Sequence, residues 1–524
     1  MKNYFYIIIA TSLFISCTSE SNSNSDIYVG LSSENKTAVD FFRMAEDHRV
    51  NLEQLEAKED YLAALRLDPN MVVALTEINE QNFQIKKNYI KKAISNLNRS
   101  NEFERLYFEW DTLAKQGKQR EKKLELAKKI IELYPQKIDG YIMEGQSYNT
   151  WSINQEKDCV SSFNQALEID PMNVKATLGQ FSCKYNGSAR TVFLKLDLNF
   201  YNKFEEDANA ILSKFPNSFP INLNIANKYR DSYNFIDQER LEKAKKLYEK
   251  CIQIADKRGS SSKILAIKNI ARLNLDVGDL EKSIEFYKTA IKMSENKTQF
   301  MTSNFDVFMA HIFQNDFLGA IRAIEKFNKD IDSYNFTKEE KLKCLVGLEY
   351  YKSLIYGHAN QKDRALESLE NYKFHSNNLM DFYGFDKNQK NLNQVVGNVQ
   401  GPERIRWKEL TTQRQLNNEI WVNILVGNYG KAENLITKHG EIYGWTPNGW
   451  IGVLNVMKGN SEKAYNILKS GNFGYFQYFK AQALISLGEK DMAKSVLDSV
   501  RQTSGMNFFN NFIIKRAAKL YQTL

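Results

Sequence analysis

The chain has 524 residues but only 7 prolines and 25 glycines; that length exceeds one compact core, and so few helix breakers favour several domains or one long array of helices. The formal net charge of +8 is carried by mixed-sign runs such as KQREKKLELAKK (118–129), the pattern of solvated helix faces. No basic stripe with interleaved aromatics and no nucleic-acid-binding motif occurs, so nucleic acid is not an expected partner.

The first stretch is MKNYFYIIIATSLFISCTSES. Lys2 supplies a charge, Tyr4 to Phe14 an apolar run, and Ser16 with Cys17 a small-residue junction. The run is too short to span a bilayer and reads as a secretory signal. These residues resemble a bacterial lipoprotein signal, which implies acyl chains on Cys17, loss of residues 1–16 and a lipid-anchored place in the bacterial cell envelope. Two or more acyl chains, at about 0.8 kcal/mol per buried methylene, hold a protein on a membrane almost permanently. The sequence departs from that family at Phe14, where such signals usually carry leucine, with Leu13 one position further out. Thr18, standing where an aspartate would retain the protein, implies outer-membrane sorting under the family's familiar rule. Residues 17–40 begin with the polar, unpatterned TSESNSNSD and read as a flexible tether. The alternatives are a secreted chain with a cleaved signal and an unpaired cysteine, or a chain that keeps a membrane-inserted tail.

From residue 41 onward a pattern recurs: a small residue, a large apolar one four later, a small or apolar one three after that, and often a proline. In chain order it occurs at Ala57, Tyr61, Ala64 and Pro69; at Ala127, Ile131, Tyr134 and Pro135; at Cys159, Phe163, Ala166 and Pro171; and at Ala208, Leu212, Phe215 and Pro216. It continues at Ala244, Tyr248 and Cys251; at Ser283, Tyr287 and Ala290; at Ala320, Ile324 and Phe327; and at Ala365, Leu369 and Tyr372. The final copies are Ala432 with Ile436, Ala464 with Leu468, and Ala493 with Leu497. Spacings of three and four place each set on one helical face. The turn sequences DVGDLEKS, LVGNYGKA, MKGNSEKA and SLGEKDMA each offer a glycine to end the preceding helix. A proline stops the second helix. Each unit therefore reads as helix, tight turn, helix.

The pattern resembles tetratricopeptide repeats, best over LAIKNIARLNLDVGDLEKSIEFYKTAIKM (265–293) and WIGVLNVMKGNSEKAYNILKSG (450–471). Gly145, Tyr148, Leu178 and Gly179 match the first-helix signature as well. The resemblance implies an all-α fold: an α-solenoid of stacked helix-turn-helix units of about 34 residues, wound into a right-handed superhelix. It covers residues 41–375 and 416–505 in about eleven units. Residues 184–204 lengthen one unit. Residues 376–415 read as a non-repeat insertion between a solenoid over 41–375 and a C-terminal set of repeats, with a capping helix, over 416–524.

Cys159, Cys183, Cys251 and Cys344 show neither CxxC nor metal spacing. Cys159 and Cys251 stand in small-residue slots, where cysteine serves as a small hydrophobe; a bridge from Cys159 to Cys183 is open, since both fall on neighbouring helices, but packing is the reading taken. The histidines His48, His311, His358, His375 and His439 are scattered, without HExxH or a close pair. No phosphate loop, GxSxG or protease signature occurs. No catalytic residue, metal or cofactor is expected, and the chain is not read as an enzyme.

In the resembling family the first helices line a concave groove, which makes Asn227, Arg230, Lys268 and Arg272 candidate binding residues. Such side chains can clamp a peptide carboxylate through charge-assisted bonds; here they fall short of a full clamp, and a solvated face is the plainer reading. Trp421, Trp450, Tyr475 and Tyr478, with Phe479, are candidate exposed anchors for proteins or sugars, or else core packed against the insertion. The function implied is a non-catalytic protein-protein interaction scaffold, lipid-anchored in the envelope and facing the periplasm or the surface. One alternative is a glycan-binding outer-membrane lipoprotein similar to the starch-utilisation type, although its loops are usually richer in proline, glycine and tryptophan. The other is a regulator of a cell-wall enzyme.

Overall fold

The computed structural model describes residues 27–80, 83–116, 120–148, 155–186, 194, 197–232, 237–332, 334, 336–382, 402–471, 473–501 and 508–524. All regular structure among them is helical. The chain divides into two compact units, Met1–Lys228 with Gly259–Ser262, and Tyr229–Arg258 with Lys263–Leu524.

The first unit holds α1 (Lys36–Val50), α2 (Gln54–Leu67), α3 (Val72–Glu77), α4 (Phe83–Asn96), α5 (Glu102–Gln116), α6 (Arg120–Leu133), α7 (Ile138–Ser147), α8 (Glu156–Ile169), α9 (Val174–Tyr185) and α10 (Leu198–Lys214). The division falls inside α11 (Phe219–Ser232). The Asp-Pro pairs explain how α2 and α8 end. Asp68 accepts the N–H of Asn70 at 3.0 Å, and Asp170 that of Met172 at 3.1 Å, closing turns that proline stiffens. Two residues after Pro171, Asn173 caps α9 by accepting the Ala176 N–H at 2.9 Å, which satisfies one of the orphan donors of the helix start.

The repeat positions go where their spacing puts them. Ala57, Tyr61, Ala64, Cys159, Phe163, Ala166 and Ala208 are buried, whereas Ile131, Tyr134 and Leu212, from the copies with an early proline, are only half-buried. The close approach of helices is visible at Phe163, whose ring would lie 2.6 Å from a Cβ on Gly145 and 2.2 Å from one on Gly179. First helices also touch at α3–α5 and at α7–α9, which places them on the inner side of the unit.

Here the packing-only reading of the cysteines is corrected. Cys159 on α8 and Cys183 on α9 form a disulfide, with Cα atoms 5.9 Å apart and a sequence separation of 24. The helices cross at small residues, which brings the two Cβ atoms within bridging range. Cys251 and Cys344 are free and buried, as small hydrophobes are.

The second unit continues with α12 (Gln238–Arg258), α13 (Lys263–Asp276), α14 (Leu280–Lys292), α15 (Lys297–Phe313), α16 (Phe317–Ile331), α17 (Lys338–His358) and α18 (Lys362–Phe382). Then come α19 (Pro402–Leu425), α20 (Tyr429–Tyr443), α21 (Asn448–Met457), α22 (Ser461–Leu468), α23 (Gly474–Ser486), α24 (Lys490–Arg501), α25 (Phe508–Asn511) and α26 (Ile514–Gln522). Four predicted turn glycines, Gly278, Gly427, Gly459 and Gly488, have φ between 78° and 91°, where a side chain would be strained. Asn315 and Asn360 fill the same place in the two turns that lack glycine, at φ 64° and 57°.

Of the insertion at 376–415, the two ends extend α18 and α19; residues 383–401 lie outside the described residues. The last helix does more than cover α24. Arg516 donates to Asn315 Oδ1 and to the His358 carbonyl, both at 3.0 Å, tying α26 to two earlier turns of the same unit.

Candidate functional site

The cations expected to line a groove are brought together, but with acids. In the second unit Arg230 donates through Nε and Nη2 to Asp231 at 3.2 and 3.0 Å and through Nη1 to Asn269. Lys268 pairs with Asp306 at 2.6 Å, and Arg272 with Asp276 at 3.2 Å while its guanidinium lies 4.8 Å from the Phe313 ring centre. Burial raises the Asp306 carboxyl, against the pull of Lys268 and Arg272. A peptide carboxylate arriving here would have to displace a resident acid. Asn227 is half-buried on α11 and belongs to the first unit. Cys17 lies outside the described residues.

The aromatic candidates are corrected by their burial. Trp421 is 1% exposed and Tyr475 0%, and Tyr478 and Phe479 are buried too. Trp450 is half-buried, with its ring edge-on to Trp421 at 3.7 Å. The Tyr475 hydroxyl meets His358 Nε2 at 3.1 Å; burial pushes the tyrosine hydroxyl well up and the imidazole well down, so a neutral pair sits in the core. These rings fill the crossings of α19, α21 and α23, with Phe509 and Phe512 against them. In that region the large exposed aromatic among the described residues is Trp445, at 51%.

The inner layer of the first unit is where recognition geometry exists. It is lined by Arg43 and Glu46 of α1, Val73 of α3, Phe103, Tyr107 and Trp110 of α5, Asp139, Ile142 and Met143 of α7, and Lys175 of α9. Helical spacings of three and four turn these residues to one side. Across them runs a segment read from sequence as part of a flexible tether, residues 27–32. Four of its main-chain atoms are held by side chains. The Val29 N–H donates to Asp139 at 2.7 Å, and the Val29 carbonyl accepts from Arg43 Nη2 at 3.1 Å. The Gly30 carbonyl accepts from Asn101 Nδ2 at 2.8 Å, and the Ser32 N–H donates to Glu104 at 3.3 Å.

Side chains add to this grip, with Ile27 and Tyr28 packed against the cluster of Ile138, Ile142 and Phe163. Val29 is 4% exposed, packed with Phe103, Leu106, Trp110 and Met143; Gly30 faces out; Leu31 packs inward again. The Tyr28 ring lies under the Arg43 guanidinium at 4.6 Å, and its hydroxyl accepts from Asn173 at 3.3 Å. Burial raises the Asp139 carboxyl even though the Val29 N–H and Arg43 act to lower it.

Beneath the segment the polar floor satisfies itself. Glu46 pairs with Arg49 at 2.6 Å, Tyr61 donates to Glu46, and Tyr107 donates to Glu77. Burial acts to raise the Glu46 carboxyl, but Arg49, Lys175 and the Tyr61 hydroxyl outweigh it and hold it down at about 2. Lys175 is pushed down by desolvation and by Arg49, against the attraction of Glu46, Glu77 and Asp139. A cavity of about 320 Å³ remains beside Tyr28, between Phe42, Glu46, Val73, Tyr107 and Lys175. Sequence reasoning passed over this site. The available signal was the run Ile27-Tyr28-Val29-Gly30-Leu31, too apolar for a solvated tether.

No curated protein matches the sequence. Among solved structures, a monomeric IFIT1 mutant with Gppp-AAAA is 11% identical, with 91% of this chain and 92% of that chain covered and a TM-score of 0.31. The human IFIT1 dimer with m7Gppp-AAAA is 11% identical, covering 92% of each chain, with a TM-score of 0.28. The P58(IPK) TPR domain is 10% identical, covering 93% of this chain and 98% of that one, with a TM-score of 0.18. The tetratricopeptide repeat family profile matches residues 232–258 and 269–297, the helices α12 to α14 where the residue pattern is most regular. The regular structure of the described residues is all helical, and residues 232–258 and 269–297 carry tetratricopeptide repeats.

Proposed function

We propose that the chain is a non-catalytic scaffold that holds extended segments of partner proteins and is lipid-anchored through Cys17 in the bacterial cell envelope. The observation that carries this reading is the inner face of the first unit, where Asp139, Arg43, Asn101 and Glu104 grip main-chain atoms of the segment at 27–32. Bonds to main chain recognise backbone shape over sequence, which is how an interaction surface serves a partner's extended segment. The Cys159–Cys183 disulfide supports export, because such bridges persist in oxidising compartments. Burial of Trp421, Tyr475 and Tyr478 favours the scaffold reading over the glycan-binding alternative.

The test is a crosslinking pull-down from intact cells with tagged full chain, beside a Cys17→Ala control. Reproducible capture of one envelope complex, lost in the control, is the expected result. Unchanged membrane fractionation of Cys17→Ala would remove the anchor from the account, and a clean pull-down without any partner would remove the scaffold.

A further inference from the structure

We infer that residues 27–32 are a replaceable resident of a peptide site, and that the first unit's inner face takes in their place an extended partner segment of the same chemistry. This inference rests on the scaffold reading and adds the ligand class: an aromatic residue, a β-branched aliphatic, one outward-facing residue, then a second aliphatic.

Three features separate a resident ligand from a structural strap. First, the polar contacts at Val29, Gly30 and Ser32 all go to main-chain atoms, so a backbone following the same path satisfies them whatever its side chains. Second, the inward side chains occupy two positions, that of Val29 among Phe103, Leu106, Trp110 and Met143, and that of Leu31 between the two adjoining clusters. These fix two apolar positions, while Gly30 has open space where a side chain would stand. Third, the resident leaves a cavity of about 320 Å³ beside Tyr28, walled by Phe42, Val73 and Tyr107 with Lys175 and Glu46 at its polar end. A partner segment with a larger residue next to its aromatic ring would use that space, which gives it an advantage the resident lacks. The resident holds its place through covalent attachment: it begins nine residues before α1, and such a short link supplies a millimolar effective concentration without high intrinsic affinity.

The experiment uses full-length chain and a fluorescent peptide spanning residues 26–33, DIYVGLSS, read by anisotropy. The double variant Val29→Glu with Leu31→Glu expels the resident and leaves the groove residues intact. The expected result is saturable binding to this variant, binding to the unmodified chain weaker by about 100-fold through intramolecular competition, and loss of binding when Asp139→Ala and Asn101→Ala are added. Absence of binding to the folded double variant overturns the inference.

Should that variant fail to fold, a protease site placed between Ser33 and Glu34 lets the resident be cut after folding. Release of the fragment on dilution, with helicity retained and the peptide rebinding, is the expected result. A fragment that stays attached at nanomolar concentration, or whose loss unfolds the chain, is a structural strap and overturns the inference. The scaffold reading fails separately. Peptide binding with no partner captured in cells leaves the groove assignment standing, whereas capture unaffected by Asp139→Ala with Asn101→Ala sinks the groove assignment and leaves the scaffold.

Discussion

The two units treat their inner polar residues in opposite ways. In the second, Arg230, Lys268 and Arg272 are each matched to an acid or amide of the same unit. In the first, Asp139, Arg43, Asn101 and Glu104 direct polar atoms at main chain that arrives from outside the helical pairs. Cations spaced along first helices therefore mark a groove less reliably than unmatched donors and acceptors do. The distinction lies in who satisfies whom, a property of three-dimensional neighbours that residue types alone do not carry.

The largest expected divergence between the units comes from reduction. The Cys159–Cys183 bridge closes a loop of 24 residues, and restriction of the unfolded chain by such a loop is worth about 3 kcal/mol. Reductant should speed hydrogen exchange in α7 to α9 and leave the second unit unchanged. There the Cys251 and Cys344 thiols are unbridged and pushed up to about 12 by burial. Equal loosening of both units would break the comparison.

Acid comes next. The Glu46 carboxyl is held at about 2 against an ordinary value of 4.5. A depressed carboxyl stabilises the fold above its unfolded value, and that stability is lost as pH falls from about 4.5 towards 2. After allowing for the side chain's partial exposure the contribution is about 2 kcal/mol. Urea midpoints measured down that range should fall less in Glu46→Gln than in the parent. Asp306 in the second unit, like Asp139, has a raised carboxyl. Protonation relieves the burial of these charges, so their contribution to stability grows as pH drops through their folded values.

A smaller effect sharpens the groove itself. Asp139→Ala leaves the Val29 N–H without its acceptor, a loss of about 1–3 kcal/mol in docking of the segment. Chymotrypsin should then cut at Tyr28 and Leu31 faster while the helices stay intact; unchanged cleavage would show that Asp139 does not hold the segment. The smallest effect is expected in the second unit. Lys268→Ala removes a partly exposed ion pair and should lower stability by under about 1 kcal/mol without altering cleavage at Tyr28. Any change there would contradict the independence of the two clusters.

Much of the fold was legible because its rules are local. Small and large positions such as Ala57, Tyr61 and Ala64 obey helical spacing, and they are buried. Glycine turns and Asp-Pro stops announce themselves within four residues. Asn315 and Asn360 escaped notice because asparagine reaches positive φ less often than glycine and is common elsewhere. The disulfide was open because a sequence separation of 24 gives no motif, only a crossing distance. The buried rings Trp421 and Tyr475 were left between core and binding face for a related reason: aromatic abundance is the same in both, and their separation requires knowing that α19, α21 and α23 converge. The segment at 27–32 was the hardest to see, since its polar partners lie between 14 and 110 residues away.

The measurement that tests the central claim most directly is residue-resolved hydrogen exchange on the full chain at neutral pH. The account predicts that the amides of Val29 and Ser32, whose hydrogens are given to Asp139 and Glu104, exchange far more slowly than in the free peptide and lose that protection in Asp139→Ala with Glu104→Ala. Exchange of these two amides at the free-peptide rate, in a chain whose α5 and α7 remain protected, would contradict it.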